Sequence, residues 1–202
     1  MKLFVSPTSP YARKVLVLAH EVGVIDAIEV VATNPFEQDP ALVAANPLSK
    51  VPTLVVSDEL VIFDSRVICE YVDGLHDHTR FIPPAGQSRW RALRTQSLAE
   101  GVCDAAIGVR LESLRPEPQR SAETEARHLG AIRRSLAVLD TELPSLPAEP
   151  NIAHVSIGVA LAYLDLRVGQ LAWREEHEAL ARWFAAWSNR PSMVATAFPH
   201  KT

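Results

Sequence analysis

The sequence predicts an α/β domain of order β-α-β-α-β-β-α followed by an all-α domain. Two observations carry this: short β-rich runs alternate with helical patterns only through about residue 72, and none stands out beyond it. The break between the two regimes is Gly74 to Gly86, where polar residues, prolines and glycine replace periodic apolar ones. The expected organisation is therefore residues 1–75 as the α/β domain, 76–86 as a linker and 87–202 as the helical domain.

Taken in order, Leu3-Phe4-Val5 is an apolar run cut off by Ser6-Pro7-Thr8-Ser9-Pro10, and the run from Val15 to Ala19 has helical spacing. Ser9 before Pro10 fits an N-cap followed by proline at the first helical position, which sacrifices no needed hydrogen bond. Gly23 ends that helix. Ile28 to Val31 reads as a strand parallel to the first across a right-handed crossover, and Asp39 to Ala45 as a short helix. Thr53 to Val56 and Leu60 to Phe63 flank the polar turn Ser57-Asp58-Glu59 and predict a hairpin, followed by the helical run Val67 to Val72. Beyond the linker, Ser88 to Leu114 and Ser121 to Leu143 are long amphipathic stretches, Val155 to Leu171 is apolar enough for a central buried helix, and Glu178 to Asn189 aligns Leu180, Trp183, Phe184 and Trp187.

A formal net charge of −4 offers no basic surplus for nucleic acid. The N-terminal apolar run is too short for a signal peptide and no later segment approaches a membrane-spanning length, so the protein reads as cytoplasmic, with no membrane partner. Cys69 and Cys103 form no CxxC or zinc spacing and read as buried helix residues. His76 and His78 flank Asp77 without further ligand spacing, so no metal is expected.

Chemistry concentrates at two strand ends. Val51-Pro52 opens the third strand, where proline can hold a bend that turns backbone polar groups outward, and Asp64-Ser65 stands where the next helix needs its N-cap. The first N–H groups of that helix can hold a carboxylate. A backbone edge beside an anion-holding helix start suits a small peptide.

This order of elements resembles the cytosolic glutathione transferase family over essentially the whole chain. The resemblance rests on Ser6-Pro7-Thr8-Ser9-Pro10-Tyr11 with Arg13-Lys14-Val15, on Asn46-Pro47-Leu48-Ser49-Lys50-Val51-Pro52-Thr53-Leu54, on Asp64-Ser65-Arg66 with Ile68, and on Ser156-Ile157 with Tyr163-Leu164-Asp165. It implies a thioredoxin-like first domain, a cis proline at Pro52, a homodimer, and glutathione as co-substrate with no tightly bound cofactor. It further implies that the Val51 backbone pairs with the cysteinyl part of glutathione, and that Ser65 and its helix N-terminus take the γ-glutamyl carboxylate. Asp64 would accept from the ammonium, and Lys50 would meet the glycine carboxylate. Glutathione attacks as a thiolate, so a hydroxyl donor at a helix N-terminus suits the reaction. Ser9 is that candidate, with Thr8 as its competitor.

The implied activity is S-transfer to a small hydrophobic electrophile, with Tyr11, Val102, Ala106 and Val109 as expected pocket walls. A non-catalytic binding protein, or a glutathione-dependent peroxidase, isomerase or dehalogenase, would share every residue named. A serine at position 9 cannot form the mixed disulfides that a cysteine forms there. Arg13 and Lys14 read as a solvated or interface pair. The family's Ser/Thr-x-x-Asp capping box, sought at Ser156, finds Val159 in its last position, which predicts a half-formed cap.

Overall fold

In the computed structural model, residues 1–199 are described. They form two compact units, one of residues 1–82 with 191–199 and one of residues 83–190.

The first unit contains β1 (Lys2–Val5), α1 (Pro10–Glu21), β2 (Glu29–Ala32), α2 (Pro40–Ala45), β3 (Thr53–Ser57), β4 (Leu60–Ile62) and α3 (Ser65–Asp73). The sheet order is β2-β1-β3-β4, with β1 parallel to β2 and antiparallel to β3, and β3 antiparallel to β4. This is the predicted β-α-β-α-β-β-α domain. In β1 the consecutive residues Leu3, Phe4 and Val5 are all buried, so both faces of the central strand are covered, as short unalternating apolar strands require. α1 and α3 pack together. Their apolar positions Val15, Leu18, Ile68 and Val72 are buried.

Asp73, the last residue of α3, accepts the backbone N–H groups of Phe81 and Ile82 at 2.8 and 2.9 Å, and lies 3.3 Å from His76 Nε2. Residues 76–82, part of the expected linker 76–86, are thereby fastened to the first unit.

Residues 191–199 also belong here, which corrects their expected place in the helical domain. The helix Pro191–Ala195 packs on α1, and the Arg13 guanidinium donates to the Met193 carbonyl at 3.0 Å and to Thr196 Oγ1 at 3.4 Å. It also stacks 4.4 Å above the Phe198 ring, while Ser192 Oγ donates to Glu21 at the far end of α1. Arg13 and Lys14 are 6% and 2% exposed, which removes the solvated of the two readings expected for the pair. Burial lowers the Arg13 pKa to about 10, which leaves it charged at neutral pH.

The second unit is helical, with α4 (Gly86–Leu114), α5 (Ala122–Glu142), α6 (Ile152–Arg167), α7 (Trp173–Glu176) and α8 (Glu178–Trp187), before the helix already described, α9. α6 is buried along most of its length and packs chiefly on α4, which also carries α5. A Cβ at Gly108 would lie 2.5 Å from His128 Nε2, so any larger residue where α4 meets α5 would have to displace the His128 ring. No single helix among the described residues is long and apolar enough to cross a membrane. Cys69 and Cys103 are buried and unbridged, on α3 and α4.

The start of α6 overturns the expected half-formed cap at Ser156. The helix begins one turn earlier, and the box is Asn151-Ile152-Ala153-His154. Asn151 Oδ1 accepts the Ala153 N–H at 2.9 Å, and the Asn151 N–H donates to His154 Nδ1 at 3.2 Å. Ser156 instead donates its hydroxyl to the Ile152 carbonyl at 2.8 Å inside the helix. His154 is 6% exposed, against the stacked rings of Trp183 and Trp187. Desolvation by burial, aided by the Arg190 charge, lowers its pKa against an opposing hydrogen bond to the Pro147 backbone.

A histidine nitrogen accepts only when unprotonated, so this box requires the neutral ring. Above the unfolded-state pKa of about 6.5 both states are neutral and stability does not depend on this group. Below it the unfolded chain binds a proton that the folded chain refuses. Stability is then lost by up to about 1.4 kcal/mol per pH unit until the lowered folded value is passed. Urea unfolding at pH 7 and pH 5 is expected to show a larger loss for wild type than for His154→Gln, whose neutral amide keeps an acceptor.

Candidate functional site

Antiparallel pairing brings three loops to one edge of the sheet. Phe4 in β1 faces Thr53 in β3, and Leu54 faces Ile62 in β4. The exit of β1 into Ser6–Ser9, the entry to β3 at Val51–Pro52 and the exit of β4 into Asp64–Ser65 therefore share that edge. The Val51–Pro52 peptide is cis, as is Phe63–Asp64, which nothing in the sequence signalled.

Ser9 caps α1. Its Oγ accepts the Ala12 N–H at 3.2 Å, its carbonyl accepts the Arg13 N–H at 3.0 Å, and its own N–H donates to the Ser6 carbonyl at 2.9 Å. A serine hydroxyl has one proton and two lone pairs, so capping consumes a lone pair and leaves the proton free to donate. The structural and chemical roles of Ser9 are compatible. Thr8 is half-buried in the same turn, and its hydroxyl makes no hydrogen bond among the described residues.

Asp64 is the N-cap of α3, its Oδ1 accepting the Arg66 N–H at 2.9 Å, and it is exposed. Ser65 is the first helical residue and only 4% exposed. The N-terminal amides of α3 thus open at this edge with a carboxylate oxygen and a hydroxyl beside them, a combination suited to an amino-acid end group.

The loop leading into β3 is built around two residues that sequence reasoning quoted without assigning a role. Asn46 is 1% exposed, and its Nδ2 donates to the Lys50 carbonyl at 3.2 Å and to Thr53 Oγ1 at 2.9 Å. Its Oδ1 accepts the Leu48 N–H at 3.0 Å, and Thr53 Oγ1 donates to the same Lys50 carbonyl at 2.8 Å. The Lys50 carbonyl is therefore pinned from two sides, which fixes the peptide plane entering Val51, while the Lys50 side chain is exposed. The available signal was an asparagine seven residues before a threonine, on either side of a loop whose backbone has few partners of its own.

Of the expected pocket walls, Tyr11 is half-buried on the first turn of α1. Val102, Ala106 and Val109 are core residues of the helical unit.

A four-stranded mixed sheet entered by a cis proline, in a chain with a separate helical unit, defines a thioredoxin-like fold followed by a helical domain. Residues 8–85 match the family profile of the glutathione S-transferase N-terminal domain, and residues 122–186 that of the C-terminal domain. An uncharacterised GST-like protein, YibF, of Escherichia coli K12 is 31% identical over 98% of this chain and 99% of its own. A glutathione transferase family member from Pseudomonas fluorescens Pf-5, solved with bound glutathione, superposes with a TM-score of 0.94 at 42% identity, covering 98% of each chain. Another structure from that organism, solved with S-(propanoic acid)-glutathione, has a TM-score of 0.91 at 40% identity, covering 98% of this chain and 100% of the other. The protein belongs to the glutathione S-transferase family.

Proposed function

We propose that the protein is a glutathione transferase that lowers the thiol pKa of bound glutathione and directs the thiolate at a small, largely hydrophobic electrophile. The observation that supports this reading is the shared sheet edge, where a capping serine with a free hydroxyl proton, a pinned strand-entry loop and an open helix N-terminus meet. On this reading Ser9 donates its proton to the sulfur, with Thr8 as the competing donor in the same turn. The Val51 backbone beside Pro52 pairs with the cysteinyl unit, and Lys50 meets the glycine carboxylate. Ser65 and the first α3 amides take the γ-glutamyl carboxylate, and Asp64 accepts from the ammonium.

The relative that holds S-(propanoic acid)-glutathione carries a conjugate of the kind S-transfer yields, and the same class of product is proposed here. A cytoplasmic homodimer is proposed as the working form. Apolar side chains left exposed at Leu60 and Val67 in the first unit support an association surface.

Retention on immobilised glutathione, followed by a conjugation assay with a generic chloronitrobenzene electrophile, tests the reading. Retention with turnover is the expected result. Retention without turnover would leave a glutathione-binding protein, and no retention would remove both.

A further inference from the structure

Arg13 stands one turn into the helix that Ser9 caps, and its backbone N–H donates to the Ser9 carbonyl at 3.0 Å. The residue is only 6% exposed. Every group that holds its guanidinium is neutral: the Met193 carbonyl at 3.0 Å, Thr196 Oγ1 at 3.4 Å and the Phe198 ring at 4.4 Å. Residues 191–198, which supply these groups, contain no ionisable side chain.

The carboxylates on α1 and on the elements packed against it, Glu21, Asp26, Glu70 and Asp73, form no ion pair with Arg13, which has no acidic partner among the described residues. Burial is also the one cause that displaces its pKa, to about 10, so the group stays charged and no described neighbour compensates it. Buried charges are ordinarily paired, because an isolated one is costly. Holding residues 193–198 on α1 requires a donor and an apolar stem, and a neutral side chain can offer both. What the charge adds is a field, which burial away from water and counterions leaves weakly screened. It has the same sign as the positive end of α1 at Ser9.

We propose that Arg13 is a fixed positive charge behind the nucleophile site, kept dry by residues 193–198, whose field stabilises the glutathione thiolate held at Ser9. The assignment rests on the transferase reading above. Arg13 is a positioning residue: it acts through its field and not by contact with the sulfur. A nearby opposite charge favours the ionised thiol, and a charge fixed in advance needs no reorganisation when the thiolate forms. Across about 10–15 Å, at an effective dielectric constant of about 20–30, one charge moves a pKa by about half to one unit.

Thiolate absorbance of the glutathione complex, titrated against pH, reads the inference without turnover. Wild type is expected to hold the thiol below its ordinary value of about 8.5. Arg13→Gln is expected to raise it by about half to one unit and to lower the rate at saturating glutathione about three- to tenfold at about pH 6, with the loss fading above the raised pKa. A purely structural fault would lower the rate alike at every pH. Arg13→Lys loses the guanidinium fork but keeps the charge, so it should lose as much stability as Arg13→Gln and restore most of the thiol pKa. Thr196→Asp leaves Arg13 in place and gives it a carboxylate at the Thr196 contact, so stability should be no lower than wild type while the thiol pKa rises as in Arg13→Gln. That variant decides alone where Arg13→Gln does not fold. An unmoved thiol pKa in Arg13→Gln or Thr196→Asp, or an equal rise in Arg13→Lys and Arg13→Gln, would overturn the inference and leave the transferase reading standing. A lowered, Arg13-dependent pKa without turnover would uphold the inference and overturn the transferase reading, and an ordinary thiol pKa in wild type would overturn both.

Discussion

Ser9→Ala is expected to lower kcat for conjugation by about 10- to 150-fold and to raise the thiol pKa of bound glutathione by about one to two units, with little change in KM for glutathione. The range follows from one charge-assisted hydrogen bond, about 1.5–3 kcal/mol, made only to the thiolate. Alanine also removes the cap on the Ala12 N–H, which costs about 0.5–2 kcal/mol of stability and could be mistaken for the chemical effect. Ser9→Gly separates the two. Glycine is tolerated at an N-cap at a cost of only a few tenths of a kcal/mol and brings no side-chain donor, so it should keep stability near wild type while losing the same turnover. Stopped-flow titration of thiolate absorbance in the glutathione complex, beside thermal unfolding, measures both quantities. Full activity in Ser9→Gly would transfer the donor role to Thr8 or to backbone amides.

The second large effect is expected at a residue remote from any reacting atom. Asn46→Ala removes two donated bonds and one accepted bond from a buried site, leaving the Lys50 carbonyl and the Leu48 N–H short of a partner. Such losses cost about 1–3 kcal/mol per unsatisfied group, so unfolding in urea should shift by about 2–4 kcal/mol in total. Because the pinned carbonyl sets the peptide entering Val51, KM for glutathione should rise about tenfold while kcat at saturation falls much less. Asn46→Asp keeps the acceptor for Leu48 and loses the donor to Lys50. It should recover part of the stability and little of the affinity. An Asn46→Ala enzyme with unchanged KM would confine the residue to a purely structural role.

The fold was legible where local periodicity and burial coincide. The β1 run, the hairpin and the long helices all bury the residues their spacing nominated, and the sheet order follows from short connections. The site was legible where one residue type satisfies both local and ligand chemistry: Ser9 and Asp64 are caps whether or not a ligand is present. What escaped notice depended on distant or polar partners. Arg13 and Lys14 look solvent-facing from their charge, yet the groups that cover Arg13 come from residues 193–198, and no local pattern encodes a contact across that separation. The start of α6 was misplaced because Asn151 and His154 interrupt the apolar pattern at the very positions where they satisfy backbone groups. The role of Asn46 was hidden for a related reason, since a buried asparagine resembles a loop asparagine until its partners are known.

The return of residues 191–199 to α1 gives the first unit a discontinuous chain. During synthesis, the strands, the paired α1 and α3 and the candidate ligand edge emerge before the helical unit, but the Arg13 guanidinium meets Met193, Thr196 and Phe198 only once residues 191–199 have followed that unit. The folding of the first unit is therefore interrupted by the whole of the second. For the same reason, residues 1–82 expressed alone would carry an uncovered cation on the helix that Ser9 caps, and the boundary after Ile82 is not a place where this protein divides into independent halves.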